Sequence, residues 1–237
     1  MGAAFVAQFV AVGIYSYVLG AFMNPMLEEL SWARSDFSLT RSISQIVMAF
    51  VGILIGAKVD QIGARPIMLV GTTILVVSLC AHTFVTSLWM WWALNGIVVT
   101  IGCAMVGNLV VNATLSKWFF EKRGRAVAIA AMGVSFGGIA ITPPITYLID
   151  LLGWRLSWVL LGLSAGILLY PVAMMMRKAP EDSGLLPDGK EPNSEGSRSV
   201  DAAQSEFLNS YSRSEAIRTF SFYGLVLAFG CFAVNIV

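Results

Sequence analysis

Residues 56–65 read Gly56-Ala-Lys58-Val-Asp60-Gln61-Ile-Gly63-Ala64-Arg65, a charged stretch set between two long apolar runs. Arg41 is the sole formal charge of residues 37–57, and residues 66–85 carry none. A chain in hydrocarbon must satisfy its own backbone hydrogen bonds, so two apolar runs of about twenty residues cross a membrane as helices. Joined by so few residues, they must turn back at one surface. Gly56 is expected to admit a neighbouring helix, and Gly63 to take a backbone conformation that a side chain resists. Pro66 suits a first helical position, where its missing N–H is not needed. Asp60 then lies where lipid ends, with Lys58 and Arg65 as its expected counter-charges.

Composition extends this to the whole chain. Hydrophobic residues make up 57% and charged residues 12%, with a mean hydropathy of +0.76. A soluble fold needs a polar shell that this composition does not supply. No basic run with interleaved aromatics occurs, which excludes nucleic acid as a partner. Cys80, Cys103 and Cys231 lie in apolar runs and read as packing residues, so neither a disulfide, a metal nor a cofactor is expected.

Seven apolar segments follow one another: 4–26, 37–57, 66–85, 88–115, 126–148, 154–176 and 220–237. The first six are long enough to span the bilayer, whereas the seventh is cut short at Val237. With the 56–65 turn in the cytoplasm, twelve Lys and Arg residues fall on that side and Arg34, Arg41 and Arg155 on the other. This asymmetry places the N-terminus in the cytoplasm. Trp32, Trp89, Trp91, Trp92, Trp118, Trp154 and Trp158 fall near predicted segment ends, where amphipathic rings favour the interface. Residues 179–217 are polar and turn-rich and read as a flexible cytoplasmic linker. The expected domains are therefore a bundle at 1–178, the linker at 179–217, and the start of a seventh helix at 218–237.

The motif Gly56-x-x-x-Asp60-x-x-Gly63-x-Arg65 resembles the loop between helices 2 and 3 of the major facilitator superfamily of secondary transporters. Gln61 and Ala64 stand where that family usually has further basic residues or proline. A second stretch, with Trp118, Phe119, Lys122, Arg123, Ala126, Ala130 and Gly133 in place and Gly137 after them, resembles the signature leading into helix 5 of the monocarboxylate-transporter branch. Glu121, Arg125 and Ala128 depart from its usual Lys, Leu and Gly. Gly153-Trp154-Arg155, opening helix 6, is a further point of resemblance, and Pro180-Glu-Asp-x-Gly184-Leu-Leu-Pro-Asp-Gly189 after it is similar to the central loop of bacterial monocarboxylate and oxalate/formate-type carriers. The resemblance implies a small organic anion as substrate, moved by proton symport or anion exchange. It also places the decisive cationic residues in a second half of the carrier.

Polar residues inside spans are the natural site candidates, because lipid disfavours them. Tyr15 and Tyr17 fall mid-segment, Asn108 and Asn112 are four apart, and Asn95 lies nearer the outer end. Interhelical hydrogen bonding explains each at least as readily as substrate contact. Thr142-Pro143-Pro144 is expected to kink or break helix 5. His82 reads as an interfacial polar residue. No charge occupies the middle third of the first six spans, so this portion is expected to lack a midplane partner for an anion. Gly133-Val-Ser135-Phe-Gly137 matches the Gly-x-Ser-x-Gly nucleophile pattern, but an elbow needs a strand-to-helix turn, and Ser135 lies in a continuous apolar helix. An enzyme is therefore not expected.

The sequence is thus read as an all-α polytopic membrane protein: a six-helix N-terminal bundle of the major-facilitator kind plus a truncated seventh helix. Its partners would be the bilayer, a small organic anion, and a missing C-terminal half or a second copy. A bacterial inner membrane is the expected location. The alternative is a non-transporting remnant or a receptor-like bundle.

Overall fold

The computed structural model describes residues 1–176 and 218–224. The chain divides into two compact units, Met1–Glu191 and Pro192–Val237. The linker and most of the expected seventh helix lie outside the described residues, although 220–224 are helical. The described residues of the first unit are almost all helical, with five apolar stretches long enough to cross a membrane: Gly2–Leu30 (α1), Arg34–Ile62 (α2), Ala64–Phe84 (α3), Leu88–Trp118 (α4) and Arg123–Met175. The fifth runs for 53 residues, about 80 Å if straight and far more than one bilayer. It is two helices joined at Gly153, which adopts φ 79° and ψ 163°. We call them α5 (123–152) and α6 (154–175).

Turns are shorter than the hydropathy pattern suggested. Helix α2 continues through Lys58, Asp60 and Ile62, and α3 starts at Ala64. The whole reversal is made by Gly63, at φ 91° and ψ 169°, a region open to glycine and closed to most side chains. Pro66 is therefore the third residue of α3 rather than the first, still within the first turn where no N–H is required. The expected break at Thr142–Pro144 does not occur: the only non-helical backbone between Arg123 and Met175 is at Gly153.

Small side chains let the helices touch. Ala4, Ala7 and Ala11 of α1 are buried, as are Ala126, Ala130, Gly133 and Gly137 of α5. A Cβ on Gly133 would lie 2.4 Å from the Phe5 carbonyl oxygen, and one on Gly137 would lie 2.6 Å from that of Phe9. Gly13 faces Gly137 across the same contact. A second such seam joins α3 and α4, where a Cβ on Gly102 would meet the Leu75 backbone at 3.0 Å. Lipid tails are as apolar as the core, so contact of this kind, rather than expulsion of water, holds the helices together.

Where the side chains are large they form one aromatic cluster. Trp91 and Trp158, each within about a turn of its helix start, are fully buried among the helices instead of facing outward. Trp158 stacks on Phe22 at 3.8 Å between centroids, and Trp91 on Phe37 at 4.7 Å. Trp89, by contrast, is 77% exposed.

Candidate functional site

Two helices lose their regular winding midway. In α1 residues Ile14–Val18 form a π-turn, and in α4 residues Trp92–Val99 do the same before the helix breaks at Gly107 and restarts at Asn108. Wide turns of this type leave a carbonyl without its usual helical donor and cluster at functional sites. Within the turn of α1 the Tyr15 carbonyl accepts a hydrogen bond from Arg41 Nη1 at 2.9 Å. The guanidinium also lies over the Tyr15 ring, 4.4 Å from its centroid.

This corrects the expectation that the bundle holds no charge near its midplane. Arg41 is the eighth residue of α2, about 10 Å along the axis from the helix start. Its side chain runs inward to the middle of α1 instead of out to the surface, the reverse of the usual behaviour of a membrane arginine. Such a charge costs about 3 kcal/mol in a membrane span when unpaired. Sequence reasoning located the Cα and missed the reach of the side chain. Its isolation in residues 37–57 was the available signal.

Arg41 lines a small cavity of about 10 Å³ with Tyr15, Ser44, Asn95 and Trp158. Asn95 is buried and donates from Nδ2 to His82 Nε2 at 3.4 Å, while His82 Nδ1 donates to the Ser78 carbonyl at 2.6 Å. Those two partners select the Nδ1–H tautomer. His82, in the last turn of α3, is fully buried against the rings of Trp91 and Trp158 and so is packed inside the bundle.

Tyr15 also lines a groove of about 360 Å³ between α1, α2 and α4, together with Ser16, Met48, Gly52, Cys103 and Asn108. Ser16 and Asn108 are its exposed polar groups. The other expected lining residues go elsewhere. Asn112 accepts from Gln8 Nε2 at 3.3 Å, tying α4 to α1. Tyr17 lies over Gly138 of α5, 42% exposed, on a different face of α1 from Tyr15. Asn108 opens the helical stretch that follows the break at Gly107, one turn before Asn112; Asn108 lines the groove while Asn112 is taken up by Gln8.

The two ends of the bundle are tied differently. At the Gly63 end, Asp60 pairs with Lys117 of α4 at 2.9 Å, and neither Lys58 nor Arg65 is its partner. Asp60 is two residues from the C-terminus of α2, where a helix disfavours an acid, so helix stability is not the reason for it. Gly56 meets nothing within 4 Å, contrary to the close approach expected there. Trp118 and Phe119 line an apolar cavity of about 410 Å³ with Met1–Ala4, Met175 and Met176, Lys122 precedes α5 and Arg123 begins it. At the opposite end, Glu29 of α1 is held by Arg155 and by the Trp154 indole N–H. Gly153-Trp154-Arg155 is therefore a joint that turns the chain and clamps α1 to α6.

A bundle of apolar, small-residue helices long enough to cross a bilayer, with π-turns inside two of them and an inward-facing cation, defines an all-α polytopic membrane protein. The sequence profile of the Major Facilitator Superfamily matches residues 4–237, and the chain belongs to that family. It is similar to monocarboxylate transporter 4 of Rattus norvegicus, 29% identical over 181 residues, 74% of this chain and 36% of that protein. Human monocarboxylate transporter 7 is 25% identical over 68% of this chain and 32% of its own length. An uncharacterized MFS-type transporter of Bacillus subtilis, YcxA, is 25% identical over 67% of the chain and 39% of its own length. The chain thus matches only about a third of the length of these relatives.

The ion pair between Asp60 and Lys117 allows a direct test. Asp60 is 69% exposed, and such a pair contributes about 0.2–1 kcal/mol. That is too little to hold the fold and enough to bias two conformers several-fold. Asp60→Asn and Lys117→Gln should each lower transport by the complete carrier severalfold with expression intact, and the double variant should be no worse than either. Unchanged transport would leave Asp60 as a helix-end charge.

Proposed function

We propose that the chain is the N-terminal six-helix half of a secondary active transporter for small organic anions, monocarboxylates among them. It works by alternating access, as proton symport or as anion exchange. The observation that carries this reading is the groove between α1, α2 and α4, about 360 Å³ and lined mainly by apolar side chains with Ser16 and Asn108. That volume suits a small molecule held by few polar contacts. The relatives named monocarboxylate transporters support the substrate class. In this reading the groove is completed by a second six-helix half or a second copy, and the two rock about it. The Gly63 end and residues 179–217 face the cytoplasm, in keeping with the excess of Lys and Arg on that side. The membrane is a bacterial inner membrane.

Proteoliposomes test this. Residues 1–237 alone should give no saturable uptake of lactate, formate or oxalate, and co-reconstitution with a matching second half should restore it. Saturable uptake by 1–237 alone would replace the two-half arrangement with a dimeric carrier. Absence of uptake in both would overturn transport of these anions.

A further inference from the structure

Each carboxylate among the described residues lies at or near a helix end or in a connection: Glu28 and Glu29 at the end of α1, Asp36 and Asp60 at the two ends of α2, Glu121 before α5, and Asp150 at its end. The two ion pairs formed among the described residues are Lys117–Asp60 and Arg155–Glu29. Arg41 therefore reaches the middle of α1 with only the Tyr15 carbonyl and ring as partners. A guanidinium has five N–H donors, and one is in use.

A second observation comes from the same cavity. Trp158 is among its lining residues, is 1% exposed, and its buried indole N–H has no acceptor. The lining thus brings together Arg41, Trp158, Ser44 and Asn95, each of which carries an N–H or O–H donor, although the Asn95 amide already donates to His82. A donor-rich lining with an unpaired cation complements an anion. Its volume, about 10 Å³, holds about one water. The body of a ligand has to remain in the adjoining groove. Tyr15 lines both spaces, so displacing its side chain would join them.

We infer that Arg41 is a carboxylate-binding residue, receiving the charged group of a small monocarboxylate whose apolar remainder lies in the α1–α2–α4 groove, with Trp158 as a second donor. The inference rests on the organic-anion reading above and puts an anion-binding charge in this half of the carrier. Arg41 leaves the Tyr15 carbonyl for the carboxylate when the ligand arrives.

The test uses purified 1–237 in nanodiscs, with L-lactate and its uncharged methyl ester as probes, and tryptophan fluorescence as the readout. Parent chain should respond to lactate, and Arg41→Gln should weaken lactate binding by about tenfold or more, since a charged hydrogen-bonded pair is lost. Arg41→Lys, which keeps charge and loses the fork, should fall between. Binding of the ester should change less than twofold in both. No lactate response by the parent, or lactate binding unchanged in Arg41→Gln, overturns the inference. Parallel loss of lactate and ester also overturns it, because Arg41 would then only hold the π-turn of α1. If Arg41→Gln does not fold, Trp158→Phe decides: it keeps an aromatic ring, though a smaller one, and removes the N–H, and should weaken lactate but not the ester. Equal binding of lactate by Trp158→Phe and parent then counts against the proposal. Lactate binding without uptake in the two-half vesicles would sink the transport reading and leave this one standing.

Discussion

Gly137→Leu should prevent the bundle from closing. A single Cβ at this position already falls 2.6 Å from the Phe9 carbonyl oxygen and 3.0 Å from the Gly13 Cα. Both atoms are backbone, so neither can rotate away, and the leucine must push α1 and α5 apart along the whole seam. Overpacking of this kind costs about 3 kcal/mol or more. The expected result is little monodisperse protein from detergent, or a thermal midpoint many degrees below the parent. Gly56→Leu is the control, because nothing lies within 4 Å of a Cβ there and the shift should stay within about 0.5 kcal/mol. If the two leucine variants purify and unfold alike, the α1–α5 contact is not what holds the bundle.

Trp158→Ala should rank next. Its ring stacks on Phe22 at 3.8 Å, meets His82 at 4.5 Å and approaches Trp91 at 6.3 Å, so α1, α3, α4 and α6 all converge on it. Lipid cannot fill the hole left inside four helices, and the lining loses its contacts outright. The loss should be about 3 kcal/mol, seen as a lower midpoint and easier extraction-induced unfolding in detergent. Trp158→Phe should recover most of it. Trp89→Ala, at a site 77% exposed, should move the midpoint hardly at all. Equal effects of Trp158→Ala and Trp89→Ala would mean that the aromatic cluster contributes little.

The order of spans and the small-residue seam were both legible in the residue pattern. Hydrocarbon imposes a one-dimensional test, about twenty apolar residues per crossing, and a sequence can be read against it directly. The spacing of Ala126, Ala130, Gly133 and Gly137 likewise marks a face that can approach another backbone without saying whose. Even the reversal at Gly63 was signalled, since few residues besides glycine tolerate φ 91°.

What lay beyond the sequence was the identity of partners. Asp60 has Lys58 and Arg65 nearby in the chain and pairs with Lys117, 57 positions away, because α2 and α4 meet at that end. Glycine predicted to admit a helix at position 56 faces open space, while Gly13, which gave no special signal, faces Gly137. Trp158 and His82 lie near segment ends, as the sequence indicated, but only packing shows them buried, since burial depends on which way a helix face turns. Arg41 is the sharpest case. Its place in the chain put it near one surface, and only the winding of α1 at Ile14–Val18 and the rotation of α2 bring its guanidinium to Tyr15 at mid-depth. A hydropathy pattern specifies depth along one axis. Rotation about each helix axis, which decides every side-chain contact in the site, emerges only when the helices pack together.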